Sequence, residues 1–270
     1  MFVRGILRRY RILLSCIRCI LLETYFSSLA TASYKVYKHY LVPEAAYGLK
    51  ALDSIVVSMV KLYFLGGENI RKRDAKEINE QAFHDAGGAP RVLVISWARP
   101  SFDKRYQRRK SVFNYLRSLG ASRVDFAEYS EPMEEIEQKI KCSDLIYITG
   151  GQASVLVERL RQRNVDALLR EYDGVIVGRS AGALALCRRC IVTQRHKRAI
   201  KIVEGLGQVD FCVKAHYKPS KDVVLRKLSK EEKIYAVPER AALVYANGAL
   251  SFIGDLYLFE DGEKQALTEQ

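Results

Sequence analysis

From residue 60 onward, short apolar runs alternate with charged segments, and this alternation limits the folds that the chain can adopt. The runs end in Gly, Ala or polar residues, as buried strands do, and the segments between them have helical period. Strands that alternate with helices are typical of a parallel sheet covered by helices on both faces. The predicted strands are 60–67, 91–98, 123–129, 144–151 and 174–178, and the predicted helices lie within 74–85, 104–118, 131–140 and 152–170.

After residue 233 the pattern changes to short β-rich runs separated by Asn247-Gly248 and Asp261-Gly262. Such dipeptides favour tight hairpin turns, so we expect the sheet to finish with antiparallel strands at its C-terminal edge. A chain of 270 residues that is 49% hydrophobic can bury one core of good size. We therefore predict a single α/β domain over residues 59–270, with a mainly parallel sheet between two helical layers.

A serine between two glycines follows the fifth predicted strand, in "VIVGRSAGALAL" (175–186). A strand that turns at once into a helix strains its turn residue and requires small neighbours, as in a nucleophile elbow. Ser180 would project its hydroxyl into the cleft at the carboxyl ends of the strands. The N–H groups of Ala181 and Gly151 would then face an oxyanion formed there. The alternative is an ordinary tight turn, because GxSxG also arises by chance.

A serine nucleophile needs a base, normally histidine, and the chain has four. His216 follows an apolar run and precedes a predicted helix, which places it at the same sheet edge as Ser180. His39 lies in the N-terminal segment, His84 late in a predicted surface helix, and His196 in a basic loop or hairpin. We therefore predict His216 as the base.

At this point the motifs resemble a known family. "KLYFLGGE", "YITGGQASVLVERL", "VIVGRSAGALAL", "VEGLGQVDFCVKAHY" and "ALVYANGALSFIG" are similar in order and spacing to the peptidase E (aspartyl dipeptidase) and cyanophycinase family, over about residues 59–262. The resemblance implies a class I glutamine amidotransferase-like fold, a flavodoxin-like three-layer sandwich, with serine in place of that group's cysteine. It also implies Ser180 as nucleophile, His216 as base, and residues 150–151 as the oxyanion loop.

The resemblance further implies the reaction: a serine-type dipeptidase or exopeptidase that cleaves next to N-terminal aspartyl residues, with a small acidic peptide as substrate and no cofactor. A cyanophycinase-like or other amide hydrolase is the alternative. Arg179, beside the nucleophile, could pair with a substrate carboxylate or simply face solvent at the strand end. Gln152, which opens the next helix, is a second candidate for substrate binding.

The acid that orients the histidine, the third member of a catalytic triad, has more than one candidate. In the dipeptidase branch an aspartate follows the serine, at a place that here reads Gln194-Arg195-His196. In the cyanophycinase branch a glutamate lies downstream of the histidine, and "PERAALVY" puts Glu239 there. Glu239 is the predicted acid, with Glu204 and Asp210 as alternatives. If none of them reaches His216, the chain would be a weak hydrolase or a non-catalytic relative that acts as a binding protein.

The net charge of +13 fits an enzyme of acidic substrates, and it also raises nucleic acid or an anionic membrane as partners. No RRM, KH, zinc-finger or helix-turn-helix signature supports a specific nucleic-acid partner. An α/β-hydrolase esterase shares GxSxG, but there the histidine usually comes last, whereas many residues follow His216 here. Whether the chain forms a homodimer is left open.

Residues 1–58 are basic and apolar, and we expect them to be a dispensable extension, a misassigned start if Met59 is the true one, or a surface-binding amphipathic helix. Arg18 and Glu23 interrupt the apolar stretch, so no transmembrane span is predicted. With no secretory signal, the six cysteines favour reduced thiols in a cytoplasmic protein. The pairs Cys16/Cys19 and Cys187/Cys190 have metal-ligand spacing, but buried thiols are the preferred interpretation, and no metal is expected.

Overall fold

The computed structural model describes residues 60–99, 109–193 and 200–268, which form two β-sheets with helices packed around them. The strands, in chain order, are β1 (Lys61–Leu65), β2 (Arg91–Ile95), β3 (Arg123–Ala127), β4 (Leu145–Ile148), β5 (Val175–Arg179), β6 (Arg189–Thr193), β7 (Ile200–Glu204), β8 (Cys212–Ala215), β9 (Ile234–Val237), β10 (Ala242–Ala246), β11 (Ala249–Ile253), β12 (Leu256–Glu260) and β13 (Glu263–Leu267). The helices are α1 (Lys76–Asp85), α2 (Arg109–Ser118), α3 (Met133–Lys141), α4 (Ala153–Gln162), α5 (Val165–Glu171), α6 (Ala181–Leu186) and α7 (Asp222–Leu228), which a 3₁₀ turn precedes (Pro219–Lys221).

The larger sheet has the strand order β11-β10-β1-β5-β4-β2-β3. The five strands β1 to β5 are parallel, and β10 and β11 complete one edge in the antiparallel sense. Helices α1 and α2 bury Ile78, Phe83 and Leu116 on one face of this sheet. Helices α3 to α6 cover the other face, where Leu156 and Leu169 are fully buried. The predicted fold class, a mainly parallel sheet between two helical layers, is confirmed.

One predicted helical segment is divided in two. The charged stretch 152–170 forms α4 and α5, which are separated at Asn164, a residue in the left-handed region with φ of 54°. Asparagine adopts this conformation more readily than most side chains, so it allows the chain to change direction without a glycine. No glycine or proline marks the break, so the sequence carries no strong helix-breaking signal there.

The smaller sheet was not predicted. Its strand order is β13-β12-β9-β8-β6-β7, and it draws together four strands that precede residue 238 with the last hairpin of the chain. Both dipeptides form hairpin turns as predicted, but only the first hairpin extends the larger sheet. The second pairs with β9, so its assignment to the edge of the larger sheet was wrong. An apolar run shows that a strand exists, whereas its pairing partner depends on contacts distant in the sequence.

Several predictions concern residues outside the described ranges. These are the N-terminal segment with Cys16, Cys19, His39 and Met59, and the stretch that contains Gln194, Arg195 and His196. Among the residues that the structure does describe, no helix has both the length and the apolar character needed to cross a bilayer.

Candidate active site

Ser180 occupies the turn between β5 and α6, as the glycines around it predict. Its backbone has φ of 53° and ψ of −105°, an unusual conformation for a residue with a side chain. The turn is sharp because α6 packs directly against the sheet: a Cβ at Gly178 would lie 2.7 Å from the Ala183 nitrogen, and one at Gly182 would lie 2.5 Å from the Ile148 carbonyl oxygen. The two glycines therefore permit the elbow, and the elbow lifts Ser180 out of the sheet.

The side chains of Ser180, His216 and Glu239 form a continuous series of hydrogen bonds above the larger sheet, called the relay below. Ser180 Oγ lies 2.6 Å from His216 Nε2, and His216 Nδ1 lies 2.5 Å from Glu239 Oε1. A carboxylate only accepts hydrogen bonds, so Nδ1 carries the proton and Nε2 is left to accept one from the serine hydroxyl. About half of the His216 and Glu239 side-chain surfaces, 49% and 51%, is exposed. This tautomer is the one that general-base chemistry at Ser180 requires.

The relay is assembled from three separate connections of the fold. Ser180 follows β5, His216 follows β8, and Glu239 lies between β9 and β10. The two alternative acids lie elsewhere: Glu204 is an exposed residue of β7 that pairs with Arg161, and Asp210 precedes β8, at the end opposite His216. His84 is an exposed residue of α1. Glu239 is thus the acid that the structure places on His216.

The glycine pair after β4 lies beside the elbow. A Cβ at Gly150 would lie 3.2 Å from the Cβ of Ser180, so this backbone passes directly over the serine. A Cβ at Gly151 would overlap the carbonyl oxygen of Ala98, and the next residue, Gln152, donates its N–H to that same oxygen at 2.7 Å. Gln152 is exposed at the start of α4. The loop therefore lies at the sheet edge where an oxyanion formed at Ser180 would be found.

Arg179 points to the face of the larger sheet that α1 and α2 cover, and it meets a carboxyl group that the sequence analysis missed. Its Nη1 lies 3.8 Å from Oε1 of Glu68, and their side chains are 5% and 0% exposed. Tyr147 donates a hydrogen bond to Glu68 Oε1, and Asn79 Nδ2 donates one to Oε2 at 3.0 Å. The available signal was the position of Glu68, an acidic residue directly after Gly66-Gly67 at the end of a buried strand.

The pKa of Glu68 is displaced by its surroundings. Burial raises it above its usual range, while the Arg179 charge and the hydrogen bonds from Tyr147 and Asn79 act in the opposite direction. Burial also raises the pKa of the Tyr147 hydroxyl well above its ordinary value, and the neighbouring Glu68 charge adds to this. Tyr147 therefore stays protonated and keeps its hydrogen bond to Glu68.

A cavity of about 720 Å³ adjoins the relay and the elbow. It is lined by Glu239 from the relay and by Arg179 beside the serine, together with the basic residues Arg71, Lys72 and Arg240. Its acidic lining is Glu68, which faces Arg179, Glu239, which faces His216, and Asp74, which accepts a hydrogen bond from the Asn69 N–H. The four basic residues of the lining thus outnumber its three acidic residues by one.

The cysteines of the described ranges are not arranged as a metal site. Cys187, Cys190 and Cys212 are buried free thiols, and Cys142 is exposed. Burial raises the pKa of Cys190 and of Cys212 to about 12, so both remain protonated. Within residues 60–99, 109–193 and 200–268, no three His, Cys, Asp or Glu side chains are grouped to hold a metal ion.

Comparison with known proteins identifies the family. The sequence profile described as Peptidase family S51 matches residues 62–253, a range that includes Ser180, His216 and Glu239. The chain belongs to peptidase family S51. This confirms the predicted membership of the peptidase E family, and it supports a peptidase as the general function.

Two relatives that this chain resembles in sequence are uncharacterised peptidases of Listeria. Lmo0363 of Listeria monocytogenes serovar 1/2a is 27% identical over 141 residues, which is 47% of this chain and 69% of the relative. Lin0382 of Listeria innocua serovar 6a is 26% identical over 142 residues, 48% of this chain and 68% of the relative. The similarity therefore extends over about half of the S51 chain described here.

Solved structures show the same fold. A peptidase from an acI-B1 Actinobacterium superposes with a TM-score of 0.59 at 19% identity, over 78% of this chain and 94% of that one. A putative peptidase E protein from Listeria monocytogenes EGD-e gives a TM-score of 0.57 at 22% identity, over 72% and 98% of the two chains. At these identities the likeness establishes the fold of the S51 chain.

Proposed function

We propose that this S51 chain is a serine peptidase that removes N-terminal acidic residues, above all aspartate, from small peptides through an acyl-enzyme. The observation that carries the proposal is the unbroken relay from Ser180 Oγ through His216 to Glu239, with the serine on a strained elbow. A nucleophile, a base and a group that orients the base are the three parts that this chemistry needs.

The mechanism follows from the roles of these atoms. His216 Nε2 takes the Ser180 proton as the hydroxyl oxygen attacks the scissile carbonyl, and Glu239 stabilises the imidazolium that forms. The N–H groups of Gly151 and Ala181 stabilise the tetrahedral oxyanion. His216 then gives its proton to the leaving amine, and water repeats the sequence to release the acyl group.

The acidic preference is supported by the charge of the cavity. Arg179 pairs with Glu68 and lines the same cavity as Arg71, Lys72 and Arg240. We propose that a substrate carboxylate is attracted to this group of positive charges. Gln152, exposed beside the glycine pair, is proposed to contact the substrate main chain. The same proposal includes a small acidic peptide as partner and a cytoplasmic location. It also includes the division of the chain into residues 1–58 and a domain over 59–270.

The position of Glu239 favours one further candidate, a cyanophycinase-like amide hydrolase, because that branch also takes its acid from downstream of the histidine. Both reactions use the same relay and differ in the amide bond that is presented to Ser180. A substrate panel therefore separates them.

The test is hydrolysis of dipeptides and anilides with N-terminal Asp, isoaspartyl, Glu, Leu and Arg, by the wild type and the Ser180→Ala variant. We expect cleavage of the Asp members and a loss of about 10⁴-fold or more in Ser180→Ala. Ser251→Ala, an exposed serine of β11, is the matched control and should keep full activity. Cleavage of the isoaspartyl members alone would favour the second candidate. Cleavage that survives in Ser180→Ala would refute both.

A further inference from the structure

The end of strand β1 contacts, through its main chain, the three connections that carry the relay. Three consecutive carbonyl groups accept hydrogen bonds from the three connections that carry the relay: Leu65 from Ser180 N at 2.9 Å, Gly66 from His216 N at 3.0 Å, and Gly67 from Arg240 N at 2.9 Å. Arg240 directly follows Glu239. The spacing of the relay residues is thus set by one short extended segment that contributes no side chain to the chemistry.

This arrangement restrains a backbone that is otherwise unfavourable. Ser180, His216 and Arg240 are each in the left-handed region, with φ of 53°, 51° and 62°. Residues with side chains seldom adopt it, and they retain it where neighbouring hydrogen bonds leave no alternative. Each of the three donates its N–H to the Leu65–Gly67 segment, so the strain and the restraint occur at the same positions.

Gly67 also contacts the reacting side chains. A Cβ at this position would overlap Glu239 Oε2 and would lie 2.5 Å from His216 Cε1 and 2.6 Å from Nδ1. The atoms that it would meet are the ends of two half-exposed side chains, which can move away. At Gly66, in contrast, a Cβ would overlap the carbonyl oxygen of Pro238, which is main chain and cannot give way as easily. Gly67 is not among the residues with positive φ, so an added methyl group acts there through its volume alone.

We infer that Gly67 is a positioning residue, whose missing side chain and whose carbonyl group hold His216 and Glu239 at hydrogen-bond distance. The inference rests on the proposed function, since it concerns the efficiency of the same relay. A methyl group at position 67 separates the imidazole from the carboxylate, and the base then loses the tautomer and orientation that Ser180 requires.

The experiment combines Gly67→Ala, Glu239→Ala and the double variant, with kinetics on an Asp substrate and crystal structures of the wild type and Gly67→Ala. We expect Gly67→Ala to fold, to lose about 10²-fold or more in kcat and to keep KM within about threefold. In the Glu239→Ala background the overlapped carboxylate is absent and only the imidazole has to move, so the same change should cost markedly less than it does in the wild type. The distance between His216 Nδ1 and Glu239 Oε1 should exceed hydrogen-bond range in the Gly67→Ala crystal.

The control is Gly87→Ala, in the turn between α1 and β2 at the opposite end of the sheet. Gly87 has φ of 93° and open space around it, so this variant loses stability without touching the relay, and it should keep kcat. An equal loss from Gly67→Ala in both backgrounds, or an unchanged Nδ1 to Oε1 distance, would overturn the inference. If the Gly67→Ala single variant does not fold, the Gly67→Ala/Glu239→Ala double variant should fold. A double variant that also fails to fold would overturn the inference as well. If the wild type cleaves no substrate, the proposed function fails, and the crystal structures still decide the role of Gly67.

Discussion

The relay and the buried pair beneath it are held in opposite ways. Half of the His216 and Glu239 side-chain surfaces is open to solvent, and main-chain hydrogen bonds from His216 and from Arg240, the neighbour of Glu239, to the segment after β1 restrain their positions. Glu68 and Arg179 are almost fully buried, and side chains from α1 and β4 fix them. The groups proposed to exchange protons with a substrate are thus accessible, whereas Glu68 and Arg179 are part of the core. Substitutions should therefore affect activity in the first region, and stability together with specificity in the second.

The largest effect should come from the exposed region. Glu239→Gln keeps the size of the side chain but lets it donate to Nδ1, which favours the wrong imidazole tautomer, so kcat should fall by about 10²- to 10⁴-fold. Its free energy of unfolding should change by less than about 1 kcal/mol, because an exposed pair contributes little to stability. Steady-state kinetics and urea unfolding measure the two quantities.

Glu204→Gln is the matched control for that variant. Glu204 is 84% exposed on β7, so the change should leave kcat unaltered. Equal losses from both substitutions would remove the distinction between the acid on His216 and a surface carboxylate.

The next effect should come from the buried pair. Arg179→Met leaves the Glu68 carboxyl buried without its counter-charge, which should lower the free energy of unfolding by about 3 kcal/mol near neutral pH. It should also raise KM for Asp substrates more than for Leu substrates. The double variant Glu68→Gln/Arg179→Met should regain most of the stability but not the preference for Asp, and this combination separates the two roles of Arg179.

The stability that Arg179→Met loses depends on pH in a defined direction. Burial already raises the folded-state pKa of Glu68, and loss of Arg179 raises it further. A group with a raised folded-state pKa contributes stability that is fully present below its unfolded-state pKa and is lost as pH rises through the folded-state value. The deficit of Arg179→Met relative to the wild type should therefore be smaller at about pH 5 than at about pH 8. An equal deficit at both values would show that Glu68 does not titrate in this range.

The smallest effect should come from an exposed ion pair at the opposite end of the sheet. Hydrogen bonds from Arg91 hold the pKa of Asp144 below its usual range. This stabilisation is present above the unfolded-state pKa and is lost as pH falls through the folded-state value. Asp144→Asn should lower the free energy of unfolding by about 0.5 kcal/mol at neutral pH and should not change it in strong acid. The variant should keep full activity. Thermal unfolding at several pH values and one rate measurement test it.

The local patterns of the sequence predicted the parallel sheet, the elbow and the histidine. The alternation of apolar runs and helical segments reflects burial of each element, and the glycines beside Ser180 reflect a steric demand within a few residues. The second sheet, the break at Asn164 and the buried Glu68 were missed. The choice of Glu239 over Glu204 and Asp210 came from a resemblance to a family, and the residues alone left it open.

What the sequence determined by itself was therefore the kind of element at each place and the chemistry that Ser180 and His216 could support. The tertiary structure decided which strands pair, which carboxylate meets His216, and that Arg179 faces a buried acid. The reason is range: a turn or a strand is encoded by adjacent residues, whereas Glu68 and Arg179, or Gly67 and Glu239, meet only because β1 lies between β5 and β10 in the sheet.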